Sequence, residues 1–187
     1  MSEVWIARHG ETAWSRSGQH TGTTDLELTE LGEEQARDLG RRLGDIDFSL
    51  VLASPSIRAR RTAVLAGFAS VLEVDDDLAE MHYGAAEGRT TAEVQAEQPG
   101  WAVWDGDLDG AESLDQAAER ADRLVARLLA GEGRVLVIGH GHASRTLAAR
   151  WVGVTDLARH LVSLRTGHLG ILAFDHDQPA IQAWNRP

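Results

Sequence analysis

The chain has 187 residues, 43% hydrophobic and 25% charged, with 18 Lys+Arg against 29 Asp+Glu and a formal charge of −11. That length and balance describe one soluble globular domain over residues 1–187 and exclude a fibrous or wholly disordered chain. All 18 cations are Arg and there is no Cys, which excludes thiol nucleophiles, disulfides, iron–sulfur and zinc-thiolate sites, Schiff-base lysines and P-loop lysines.

The acidic balance argues against nucleic-acid and anionic-membrane partners, since both need a positive face. No apolar run approaches the ~18 residues of a membrane span. The amino terminus carries Glu3 and Arg8 and lacks the basic-then-apolar pattern of a signal peptide. A cytoplasmic protein is expected. The oligomeric state is open, with a homodimer among the expectations.

In chain order, residues 4–7 read as a strand ending in Arg8-His9-Gly10. Thr29 caps a helix through 43, with Leu31, Ala36, Leu39 and Leu43 on one stripe. Residues 50–53 form a second strand, and Ser54-Pro55 supply the N-cap and first turn of a helix reaching 66. Residues 75–111 are irregular, with one short helix after Thr91, and are expected to form a lid or insertion; Asp75, Asp76 and Asp77 read as a solvated loop. Ser113 and Gln116 make a capping box for a helix to 129. A strand at 135–138 ends in Gly139-His140-Gly141, and a helix follows over 142–151. A last strand spans 170–174, with a partner around 180–184. Continuous apolar runs indicate strands covered on both faces. The expected fold is a three-layer α/β/α sandwich on a mostly parallel sheet.

Three strands end in polar residues, and ligands of open α/β sheets bind at those ends. Arg8, His9, Arg58 and His140 would then meet in one pocket. Cations gathered in an acidic protein imply a tightly anionic ligand. Guanidinium suits a phosphoryl group, and imidazole can attack phosphorus near neutral pH. The helix after Ser54 is expected to aim its N-terminal amides at the same place. Glu80, beside apolar residues, is the candidate proton donor, with a raised pKa. His140 and His142 have the spacing of a metal pair but no matching carboxylate motif, so no metal is expected. His142 has three readings: a pocket residue, a partner of Glu80, or a helix-start residue. Arg60 and Arg61 read as a solvated face. Trp101, Trp104, Trp151 and Trp184 read as packing, the first two also as edges of the pocket mouth.

Several segments together resemble the histidine phosphatase superfamily, with its phosphoglycerate-mutase-like fold. They are Arg8-His9-Gly10-Glu11-Thr12, Leu28-Thr29-Glu30-Leu31-Gly32, Ser54 through Thr62, Glu80-Met81-His82-Tyr83-Gly84 and Gly139-His140-Gly141. The resemblance implies that His9 is the nucleophile, that Arg8, Arg58 and His140 hold phosphate with it, and that Glu80 acts as acid and then base. It implies no cofactor.

Residues 14–22 and 139–145 look like the branch of small acid phosphatases and sedoheptulose-bisphosphatase-like sugar phosphatases. That likeness suggests Ser15, Gln19, His20, Thr21, Gly22, Tyr83 and His142 as substrate contacts. Ser15 stands where Asn is common, His142 where a second Gly is common, and Ala111 within a usual Gly-Gly-Glu-Ser segment. These departures put mutase-type substrate contacts in doubt. The expected function is a metal-independent phosphomonoesterase acting on small phosphorylated metabolites, sugar phosphates among them. A phosphoglycerate-type mutase and a non-catalytic phosphate-binding module are the alternatives.

Overall fold

Val135, Leu136, Val137 and Ile138 are all buried, which a strand achieves only when both its faces are covered. The computed structural model describes residues 3–187 and shows how this is done. The strands are β1 (Glu3–Arg8), β2 (Leu50–Ala53), β3 (Leu72–Val74), β4 (Arg134–Gly139), β5 (Leu169–Asp175) and β6 (Gln178–Arg186). They form one sheet in the order β3-β2-β4-β1-β5-β6. The first four are mutually parallel, while β5 runs antiparallel to β1 and β6 antiparallel to β5.

The helices are α1 (Ala13–Ser17), α2 (Glu30–Leu43), α3 (Ile57–Leu65), α4 (Thr91–Glu97), α5 (Leu114–Ala130), α6 (Gly141–Trp151) and α7 (Leu157–His160). Alternate strand residues point to opposite faces. Val4, Ile6, Val135 and Val137 pack with Leu124 and Leu128 of α5 and Leu147 and Trp151 of α6. Ala7, Leu136 and Ile138 pack with Leu39 and Leu43 of α2 and Ala59 and Ala63 of α3. This is the three-layer α/β/α sandwich. A third cluster gathers Met81, Tyr83, Val94, Trp101 and Trp104 against Leu114, Ala117, Ala149 and Ala158. The irregular stretch at 75–111 therefore has packed apolar contacts of its own.

Some expectations need correction. Leu31 is half exposed, and Gly32 is the buried residue in its turn. The reason is steric: a Cβ at Gly32 would lie 2.1 Å from the Glu11 carbonyl oxygen, so the helix start packs backbone to backbone. The N-cap of α3 is Ser56, which accepts from Ala59 N, and Ser54 is engaged elsewhere. Asp75 and Asp77 are not free in solvent. Asp75 caps a 3-10 turn and pairs with Arg127, and Asp77 pairs with Arg123. The short elements β3, α1 and α7 had no periodic signal long enough to read.

Candidate active site

The site begins with strand register. β1 and β4 pair in parallel with Arg8 opposite Gly139, so the next residues, His9 and His140, emerge side by side. His9 N donates to the Gly139 carbonyl at 3.0 Å. The two imidazoles lie 5.2 Å apart between ring centroids and are inclined at 63°. Ser54, just past β2, donates its backbone N–H to Ile138 O at 3.0 Å, and its Oγ lies 2.6 Å from His140 Nε2. Thr62 Oγ1 of α3 accepts from Gly10 N at 3.0 Å. A Cβ on Gly10 would fall 2.2 Å from the Gly32 carbonyl oxygen, so the loop after β1 rests directly on the start of α2.

His9 Nδ1 lies 2.7 Å from the Gly10 carbonyl oxygen. A carbonyl only accepts, so Nδ1 carries the proton and Nε2 keeps its lone pair in the neutral ring. Burial, then the charges of Arg8 and Arg58, push the His9 pKa well below the usual imidazole value. Burial and the Arg58 charge do the same to His140. Both rings are neutral at physiological pH.

The cations are held firmly. Arg8 Nη1 donates to Leu164 O at 2.8 Å. Arg58 is 1% exposed and donates to the carbonyls of Thr24, Thr21 and Gly22 at 2.9, 3.1 and 3.1 Å. The Nε atoms of both and Nδ1 of His140 are buried without a protein partner. Burial lowers both guanidinium pKa values, yet Arg keeps its charge in proteins.

The helix termini differ from expectation. The first amide of α3, Ile57 N, donates to Asp25 Oδ1 at 2.7 Å and is not offered to the pocket. At the start of α6, the amides of His142 and Ala143 donate to Glu80 Oε2 and Oε1 at 3.0 and 2.8 Å, and Met81 N adds a third bond at 2.9 Å. Burial pushes Glu80 up, but the neighbouring His142 ring and these three N–H groups outweigh it and hold the carboxyl below its usual range. The expectation of a raised Glu80 pKa is overturned. The apolar neighbours seen in sequence are outweighed by a helix N-terminus that sequence spacing did not place there.

Tyr83 Oη lies 2.7 Å from His142 Nδ1. Burial and the Glu80 charge push the phenol well above its usual pKa, so it stays protonated. Burial takes His142 down to about 4, so it is neutral.

A cavity of about 230 Å³ opens over these groups, lined by Arg8, His9 and Glu80. Of the expected substrate contacts, Ser15, Gln19, His20, Thr21, Tyr83 and His142 also line it, and Gly22 does not. Gly22 faces an adjoining cavity with Ser54, Glu80 and His140; its N–H donates to the Glu87 carboxylate and its carbonyl accepts from Arg58. Ser15 and Gln19 reach the cavity with their polar atoms already engaged. The Ser15 hydroxyl is part of the capping box with Thr12, and Gln19 Nε2 donates to Gly88 O at 2.7 Å. Arg58 is not among the residues lining that cavity. Arg61 pairs with Glu33 on the surface. Trp101 and Trp104 are buried beside the pocket rings, at 5.5 Å from His20 and 4.9 Å from His142.

Sequence reasoning missed Ser54 as the partner of His140, Ser163 in the cavity wall, and Glu87, whose carboxylate holds the amides of Gly22 and Thr24. Only Ser54 carried a usable signal, since it follows a strand end as His9 and His140 do.

The model of the histidine phosphatase superfamily, branch 1, matches residues 4–187. The chain belongs to the histidine phosphatase superfamily. It is 41% identical over 175 residues to an acid phosphatase of Mycobacterium tuberculosis, covering 91% of this chain and 86% of that protein. It is 31% identical to the sedoheptulose 1,7-bisphosphatase of Saccharomyces cerevisiae, over 95% of this chain and 90% of that one. Among solved structures, a Mycobacterium tuberculosis open reading frame product superposes with a TM-score of 0.91 at 38% identity, covering 99% of this chain and 97% of that one. A mycobacterial glucosyl-3-phosphoglycerate phosphatase in complex with VO3 gives 0.87 at 30% identity, covering 99% of both. This histidine phosphatase superfamily member is a phosphatase-type enzyme, and a probable phosphoglycerate mutase of Erwinia tasmaniensis is among its relatives at 33% identity.

Proposed function

We propose that the protein is a cytoplasmic phosphomonoesterase that hydrolyses small phosphorylated metabolites, sugar phosphates first among them, through a phosphohistidine at His9. The observation that carries this reading is the locked tautomer of His9. Its Nδ1–H is held by the Gly10 carbonyl, which leaves Nε2 as an unprotonated nucleophile in a cavity shared with Arg8 and Glu80.

In the first step the Nε2 lone pair attacks phosphorus, the P–N bond forms, and the bond to the ester oxygen breaks. Arg8 and Arg58 neutralise charge on the phosphoryl oxygens, and the neutral His140 ring offers them a hydrogen bond. Glu80 starts as a carboxylate. A phosphoryl anion beside it raises its pKa, so it takes the proton of the monoanionic ester and passes it to the departing alkoxide. In the second step the Glu80 carboxylate takes a proton from water as the water oxygen bonds to phosphorus. The P–N bond breaks, and the pair returns to Nε2.

Alkaline-quenched reactions analysed by mass spectrometry should trap phosphate on His9, and His9→Ala should abolish the adduct and p-nitrophenyl phosphate turnover together. Turnover that survives His9→Ala refutes the proposal. Isomerisation of a phosphoglycerate faster than phosphate release would replace it with a mutase.

A further inference from the structure

The cavity lining has two unlike parts. At the floor stand Arg8 and His9, and Arg58 is buried without lining the cavity. The wall beside Glu80 is built of rings. His20 and Tyr83 lie 4.8 Å apart at a tilt of 43°, Tyr83 and His142 lie 5.6 Å apart, and Trp104 stands edge-on to His142 at 4.9 Å. Among the described residues that line the cavity, Arg8 is the one guanidinium and Glu80 the one carboxylate. Arg145, near this wall, is not part of the lining. It lies 4.6 Å over the Trp104 ring and donates to the Arg159 carbonyl at 3.1 Å.

From this arrangement we infer that the enzyme selects phosphomonoesters bearing a single anionic group, with a neutral hydroxylated ring as the leaving alcohol: monosaccharide monophosphates as a class, with bisphosphates and carboxylated phosphates disfavoured. The inference rests on the phosphatase reading above and sharpens it. A second phosphate or a carboxylate at the wall would lose its water without gaining a cation, and would share the chamber with Glu80. Burial depresses both wall imidazoles, taking His142 to about 4, so neither supplies the missing charge. A sugar has C–H faces and hydroxyl edges. Ring faces attract polarised C–H groups, and the Tyr83–His142 pair offers polar edges to hydroxyls.

The test is a set of kcat/KM values for the intact enzyme with EDTA present. Glucose 6-phosphate and ribose 5-phosphate are compared with fructose 1,6-bisphosphate and 3-phosphoglycerate, with p-nitrophenyl phosphate as reference. The sugar monophosphates should lead by roughly tenfold or more. His20→Arg or Thr21→Arg, each adding a guanidinium to the wall, should shift the ratio toward the bisphosphate by about tenfold. Equal or better rates on the bisphosphate or the phosphoglycerate overturn the inference, as does a ratio that neither Arg variant moves. So does His9-dependent cleavage of p-nitrophenyl phosphate with no turnover of either sugar. Failure of the underlying phosphatase reading looks different: p-nitrophenyl phosphate cleavage is absent, or survives His9→Ala.

Discussion

The floor and the wall of the cavity are made by opposite means. His9, His140 and Ser54 each follow the last residue of a parallel strand, so hydrogen-bond register sets their positions. His20, Tyr83, Trp101 and Trp104 come from loops and from the irregular stretch with its own apolar cluster. The nucleophile and its partners His140 and Ser54 are thus placed by the sheet, while Glu80 and the groups that meet the rest of the substrate come largely from loops and the irregular stretch. Chemistry and selectivity should be separable by mutation.

The sharpest break falls on the floor. His9→Ala should reduce kcat on p-nitrophenyl phosphate by about 10⁴-fold or more, with the thermal midpoint near wild type by calorimetry. Glu80→Gln should come next. Alkyl phosphates, whose alkoxide needs a proton, should slow by roughly 10²–10⁴-fold. p-Nitrophenolate leaves without one and should slow far less. Equal losses on both would remove the acid role.

On the wall the expected effects are smaller. His142 takes up protons near 6.5 when unfolded and at about 4 when folded. Below pH 6.5 the unfolded chain therefore binds a proton that the folded chain refuses. Stability is lost as pH falls from 6.5 toward 4, by about 3 kcal/mol from this residue. Urea unfolding at a series of pH values should show the slope, and His142→Gln should flatten it. Tyr83→Phe deletes the hydroxyl at His142 Nδ1, and should cost about 1 kcal/mol with a few-fold loss of kcat/KM on sugar monophosphates. At the far end, Arg61→Ala removes an exposed pair with Glu33 and should change stability by less than ~0.5 kcal/mol, with activity intact.

The same division explains what was legible in the sequence. Buried runs such as residues 135–138 announce central strands, and the polar residues that follow them announce the floor. The caps of α2 and α5 at Thr29 and Ser113 were readable from side-chain chemistry alone. The Glu80 environment was not. Its neighbours in sequence are apolar, while two of the three N–H groups that hold its carboxylate belong to residues 142 and 143, some 60 positions away. Ser54 was misassigned because a serine before a proline reads as a helix cap, and only the sheet shows that it faces His140. The ring wall was legible residue by residue, His20, Tyr83 and His142 as substrate contacts and Trp101 and Trp104 as edges of the pocket mouth, but not as one packed set, because its members come from separate segments with no shared period.

The contact between Gly10 and Gly32 has a mechanical consequence. With no side chain on either, the turn after β1 is pressed between the sheet and a helix that leaves it no room to recoil. The nucleophile is mounted against a solid backing, so soaking in a vanadate analogue should leave residues 8–11 almost unmoved, and any adjustment should fall on the loop around 19–23.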